Sequence, residues 1–80
     1  MSSNILNDIE TTLYEKSYKY SEEHGTLPDM FISFSNEGYR TARREKMAGV
    51  FFNQTLTRFA GYRFVIDNDQ VRAFVINIEM

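Results

Sequence analysis

Eighty residues with a net charge of −2 fit one domain, residues 1–80, and a chain this short buries only about 60% of its unfolded surface, so its stability margin is small. There is no cysteine and only one histidine, which excludes a disulfide framework, a thiolate site and an all-protein zinc centre of the usual Cys/His kind. The acids concentrate in residues 1–38, seven against two lysines, and the bases in residues 39–80, seven against four acids; such polarity steers a molecule toward a charged partner or toward its own copies head to tail.

Residues 4–24 have the spacing of an amphipathic helix, with Ile5, Leu6, Ile9, Leu13 and Tyr20 on one stripe. Ser2 or Ser3 is the expected N-cap, because a hydroxyl there satisfies an otherwise unpaired backbone N–H, and Gly25 suits the left-handed residue that closes a helix. Tyr14 and Tyr18 fall i,i+4 on the opposite face, beside Glu10, Ser21 and Glu22. Two readings stand for them: a wide buried face or ordinary surface tyrosines, or a contact surface, where aromatic residues are enriched.

Leu27-Pro28 ends this region, since the residue before proline is pushed toward extended geometry. Asp29 to Phe34 follows as a strand in which Met30, Ile32 and Phe34 alternate with Phe31 and Ser33. Ser35 caps a second helix, with Glu37 in its first turn. That helix is expected from about Asn36 to Ala48, extending as far as Phe52, with Tyr39, Ala42, Met47 and Val50 inward and Gly38 and Gly49 weakening it. Arg43 and Lys46 lie near the inward face, where they snorkel or meet a partner's carboxylate. Residues 53–60 admit a strand or a helix extension.

The last segment reads as a β-hairpin, Tyr62–Asp67 and Gln70–Glu79 around Asn68-Asp69. In that register Ile66 faces Val71, Phe64 faces Ala73 and Tyr62 faces Val75, an apolar side for the helices. The outer side then carries Arg63, Val65, Arg72, Phe74, Ile76 and Ile78, with Arg63 stacked on Phe74. The fold class is α+β: N-terminal helix, strand, second helix and C-terminal β-hairpin, an antiparallel sheet of three or four strands packed on helices.

Motifs with catalytic chemistry are sparse. His24 sits where a helix dipole favours a cation, Asp67-Asn68-Asp69 lacks the downstream ligands of a calcium loop, and Glu22-Glu23 reads as a solvated helix end. There is no Gly-rich phosphate loop or nucleophile elbow, so neither enzymatic activity nor a cofactor is expected. The N-terminus lacks a basic and then apolar segment, and no apolar run approaches the ~18 residues that span a bilayer. A cytoplasmic or virion setting without membrane contact is therefore the expectation. Arg40 to Lys46 is the one basic cluster, with Arg40 and Arg44 sharing a face one turn before Phe51. It suits a charged helix face, bidentate pairing with a partner's carboxylates, or nucleic-acid contact.

From Leu27 to Ile78 the order of elements is Leu27-Pro28-Asp29-Met30-Phe31-Ile32-Ser33, a Ser-Asn-Glu helix start with Tyr39, then Phe59-Ala60-Gly61-Tyr62-Arg63-Phe64-Val65-Ile66-Asp67 and a final strand. This resembles the strand–helix–hairpin unit of small tailed-phage proteins and of one domain of tailed-phage major capsid proteins. It departs from them in the long N-terminal helix and the Arg-rich second helix, and no functional residue carries over. The resemblance implies a phage-encoded accessory protein, either a virion component or an inhibitor of a host complex. The expected function is a non-enzymatic protein–protein interaction or assembly protein that self-associates as a homo-oligomer. Its contacts would be Tyr14, Tyr18, the outer face with Phe74 and Ile76, and a terminal strand whose unpaired edge a partner can extend. The alternative is a nucleic-acid-binding protein using Arg40, Arg43, Arg44 and Arg63.

Overall fold

The computed structural model describes residues 4–79, in the order α1 (Ile5–His24), β1 (Asp29–Phe34), α2 (Asn36–Arg44), α3 (Ala48–Phe51), β2 (Arg58–Phe59), β3 (Tyr62–Ile66) and β4 (Phe74–Glu79). The α+β class holds. The sheet is mixed rather than antiparallel: four strands in the order β2-β3-β1-β4, with β3 parallel and β4 antiparallel to β1. All three helices pack on one face.

Helix α1 starts at Ile5, and its cap lies one residue after Ser3. Asn4 is the cap, its Oδ1 accepting the Leu6 N–H at 2.8 Å, while Ser2 and Ser3 lie outside the described residues. The helix closes at Gly25, whose N–H makes the last helical bond to the Ser21 carbonyl and whose φ of +74° then turns the chain out of the helix. Leu6, Ile9 and Leu13 are buried. Tyr20 is only half-buried and packs on His24, ring centroids 4.2 Å apart.

The expected C-terminal hairpin does not form, because β1 lies between its two strands. The turn at Asn68-Asp69 is present, with Asp69 N–H bonded to Asp67 Oδ1 at 3.0 Å. From there the chain crosses the end of β1 instead of folding back. Asp67 N–H donates to the Phe34 carbonyl and Ser35 N–H donates to the Ala73 carbonyl, so the connection is laced to both sides of the strand end. Gln70 fastens its middle: it accepts from Ser33 Oγ and donates through Nε2 to the Ser33 and Arg72 carbonyls at 2.9 and 2.8 Å. Central placement gives the apolar β1 a hydrogen-bonded ladder on each side, where a hairpin would leave it one.

The insertion also reverses β4. Ile32 is level with Phe64 on one side and Ile76 on the other, and Phe34 with Ile66 and Phe74. Ile66 thus shares a row with Phe74, not with Val71, and this odd displacement turns every β4 side chain over. Phe74, Ile76 and Ile78 point to the helices; Val75 and Asn77 point to the open face. Val71, expected inside, is 98% exposed.

The second helix is split. Its cap is as expected, Ser35 Oγ accepting the Gly38 N–H at 2.9 Å, but it stops at Arg44 and Glu45 is extended (φ −66°, ψ 144°). A new turn, α3, begins at Ala48. The break rotates the inward face, so Ala48 and Phe52 are buried while Met47 and Val50, expected inside, are exposed. Burying a phenylalanine contributes about 1.5–3 kcal/mol, more than continuing a helix through Gly49 would return. Phe52 joins Phe34, Tyr39, Phe59 and Phe64 in an aromatic cluster with centroids 5.0–6.2 Å apart.

Residues 53–60 are mostly turn. The Asn53 side chain accepts from the N–H groups of Thr57 and Arg58 and donates to both threonine hydroxyls, Thr55 and Thr57, which folds the loop over a left-handed Leu56 (φ +56°). The short β2 then turns back into β3 through Ala60 (φ +51°) and Gly61 (φ +85°), the positive-φ pair that a tight hairpin of right-handed twist needs.

Two stability changes follow from the backbone. Gly38 lies against the backbone of Ala73, and a Cβ there would overlap its carbonyl; Gly38→Ala is expected to cost about 1–3 kcal/mol by overpacking, read as a lower urea midpoint. Ala60 has a left-handed backbone and an exposed side chain, so Ala60→Gly is expected to raise stability by up to about 1 kcal/mol through relief of that strain, read by the same titration.

Candidate interaction surfaces

Tyr14 and Tyr18 stand on α1, 73% and 68% exposed. Tyr14 also lines a shallow groove of about 300 Å³ between α1 and the β2–β3 turn, with Glu10, Leu13, Ser17, Ala60 and Tyr62. The groove is open to solvent and contains one carboxylate.

Of the basic residues expected to act together, Arg40, Arg43 and Arg44 share α2 and Arg63 stands apart on β3. Arg40, Arg43, Arg44 and Lys46 are exposed at the end of α2, and among the described residues none has a carboxylate within ion-pair distance. Arg43 is held in place: its guanidinium lies 5.9 Å from the Tyr39 ring centroid and 5.8 Å from that of Phe52, and it donates to the Tyr39 hydroxyl at 3.2 Å. The break after α2 removes Phe51 from the Arg40/Arg44 face; it stacks on Phe59 instead, centroids 5.1 Å apart. Beside this cluster are the exposed Met47, Val50 and Leu56.

Arg63 belongs to another surface. It projects from β3 on the face without helices, 4.9 Å over the Phe31 ring, and forms an ion pair with Glu79 of β4. The arginine spans the central strand and ties the two outer ladders together, rather than stacking on Phe74 as expected. Both partners are about half exposed, so the pair contributes under about 1 kcal/mol.

Phe74 and Ile76 are corrections. Ile76 is 4% exposed and Phe74 packs half-buried against the core; the reversed β4 places them beneath the helices. The side of β4 that faces solvent carries Val75, expected on the helix side, and Asn77, not singled out in the sequence. Their signal lay in the parity of β4 relative to β1, which a hairpin turn misassigns.

The free edge of β4 is the remaining feature. Among the described residues no strand lies on its outer side. The six residues Phe74–Glu79 carry one charge, Glu79, and neither lysine nor proline, the residues with which sheet edges are commonly blunted.

Among the described residues the other candidate groups stay apart. His24 is exposed at the end of α1, 3.9 Å from the Glu23 carboxylate. The Asp67–Asp69 segment is a turn closed by its own side chain, and among the described residues no group of three His, Asp or Glu side chains is placed to hold a metal ion. No described helix is long and apolar enough to cross a membrane. Searches of protein-family models, curated proteins and solved structures return no match to this chain.

The two classes of residue separate in a stability measurement. Tyr14→Ser with Tyr18→Ser is expected to leave the urea midpoint within the equivalent of about 0.5 kcal/mol of the parent. Ile76→Lys, which buries an unpaired ammonium, is expected to abolish the folded circular-dichroism signal.

Proposed function

We propose that this chain is a small non-enzymatic interaction protein that works by assembling with further copies of itself through the edge of its sheet. The observation that carries this reading is β4: six residues at a sheet edge, four of them apolar, with a single charge at the far end. Backbone N–H and C=O groups on such an edge accept a further strand without any change in the fold. The low net charge of −2 puts little electrostatic opposition in the way of like copies. The residue order from Leu27 to Ile78, which resembles small tailed-phage proteins in sequence although the hairpin that resemblance implied is not formed, is what supports a phage setting, in which the assembly would be a virion component or an inhibitor of a host complex, in virion or host cytoplasm.

A second reading rests on the α2 end. Arg40, Arg44 and Lys46, exposed and without carboxylate partners among the described residues, suit a polyanion, either an acidic protein surface or nucleic-acid phosphates. Binding of that kind weakens steeply with salt as counterions are released. Strand pairing does not, because hydrogen bonds and apolar burial are little screened.

Size exclusion with light scattering, at low and high salt, with and without a short mixed oligonucleotide, separates the two. The expected result is an oligomer that persists in high salt and ignores the oligonucleotide. Val75→Lys with Asn77→Lys changes only the open-face side of β4 and is expected to give a monomer with unchanged circular dichroism. A parent protein that is monomeric at every soluble concentration overturns self-assembly. A mass shift with oligonucleotide at low salt alone moves the function to the α2 arginines.

A further inference from the structure

Building on the self-assembly reading, we infer that the partner on β4 is a second copy of the same strand, antiparallel, with the two-fold axis passing through Ile76. The phase of the β1–β4 ladder carries the inference. Ser35 N–H donates to the Ala73 carbonyl at 3.1 Å, and Phe34 is level with Phe74, so Ser35 and Ala73 form a hydrogen-bonded pair of the antiparallel ladder. Such pairs alternate along the strands. The next ones are therefore Ser33 with Val75, Phe31 with Asn77 and Asp29 with Glu79. The other side of β1 agrees: the Phe34 carbonyl accepts from Asp67 N–H at 2.8 Å and so points toward β3, not β4. It follows that Phe74, Ile76 and Ile78 turn their backbone N–H and C=O groups outward at the free edge.

An antiparallel copy pairs only outward groups with outward groups. With Ile76 opposite itself, Phe74 comes opposite Ile78, and all three outward residues of each strand are bonded. Shifting the copy by two residues leaves one outward residue of each strand without its counterpart. That two-residue shift moves the axis to Val75 or Asn77, whereas a one-residue shift brings outward groups against groups already committed to β1. The Ile76 register also suits the side chains. Residues directly opposite share a face, so Phe74 and Ile78, each half-buried in one copy, continue the apolar layer across the junction. Val75 meets Asn77 on the open face. Glu79, the one charge on β4, falls opposite Ala73, and the two Glu79 carboxylates lie at opposite ends of the junction. The helices of both copies then cover the same face of one continuous sheet, with β4 against β4 at its centre.

The chain contains no cysteine, so introduced thiols report the register directly. Val75 and Asn77 would form a non-hydrogen-bonded antiparallel pair with Cα atoms ~4.5 Å apart, within disulfide reach, whereas like positions are diagonal neighbours ~7–8 Å apart, beyond it. Val75→Cys and Asn77→Cys are prepared separately, checked for parent-like circular dichroism, and oxidised mildly, alone and mixed. The expected result is a disulfide-linked dimer from the mixture and little from either variant alone. Dimer from Asn77→Cys alone puts the axis at Asn77 and overturns the register. Equal cross-linking of either variant with the freely exposed Val71→Cys indicates random collision and overturns it as well. An oligomer by light scattering that yields no cross-link in any combination overturns edge pairing and leaves self-assembly to another surface; a monomer by light scattering removes both.

Discussion

Every other arrangement in this molecule depends on the two-sided hydrogen bonding of β1. Once Asp29–Phe34 takes β3 on one side and β4 on the other, the connection 67–73 has to cross the strand end, and the groups found there meet that need. Gln70 satisfies both the hydroxyl and the carbonyl of Ser33, which lets a small polar residue be buried in the middle of a sheet at little cost. Ser35 serves twice: its N–H holds Ala73, and its hydroxyl caps α2. The same approach of α2 to residue 73 leaves no room for a side chain at position 38. One topological choice therefore dictates a glutamine, a serine and a glycine in three different segments.

A chain of 80 residues without disulfides has few other means of holding itself together. Its main resource is the ring cluster around Phe34, which makes edge contacts with Tyr39, Phe59 and Phe64 and a tilted contact with Phe52. The broken second helix, the asparagine-organised loop at 53–57 and the strained Ala60 all deliver Phe52 or Phe59 to that cluster. Local preferences give way there because each such strain costs on the order of 1–2 kcal/mol and each buried ring returns as much or more.

This explains which parts of the fold were legible. Asp29–Phe34 and the closures of the helices at Gly25 and Ser35 are set by residues close in sequence, and they stand where the alternation and capping chemistry put them. The N-cap of α1 moved by one residue only because an asparagine adjoins the expected serines. The failures are non-local. Asn68-Asp69 makes a turn whether the next strand folds back beside β3 or passes to the far side of β1, so the turn signal carries no information about the parity of β4. Phe74, Ile76 and Ile78 were taken for an outer face for that reason alone. Arg63 was sent to the wrong aromatic ring by the same error, since its true neighbour Phe31 comes from the inserted strand. Tyr14 and Tyr18, set on a single helix by their own spacing, did not suffer from it.

The open face and the free edge bear on one another. Arg63 reaches across Phe31 to Glu79, so the end of β4 is tied back to β3 and its one charge is drawn over the sheet rather than outward along the edge. An edge strand left with a projecting charge resists a neighbour; here the ion pair, weak as a source of stability, takes that obstacle away from the outer side. Against this, a few hydrogen bonds of about 0.5–1.5 kcal/mol each offset an association cost of about 4–15 kcal/mol only in part. Pairing at this edge must therefore draw on apolar burial at Phe74 and Ile78, the two β4 side chains on the helix side that the single copy leaves half covered. The strength of the proposed assembly would thus depend on the same parity that turned these residues toward the helices: in the hairpin register expected from the sequence they would be solvated on the open face, and the edge would have backbone groups alone to offer.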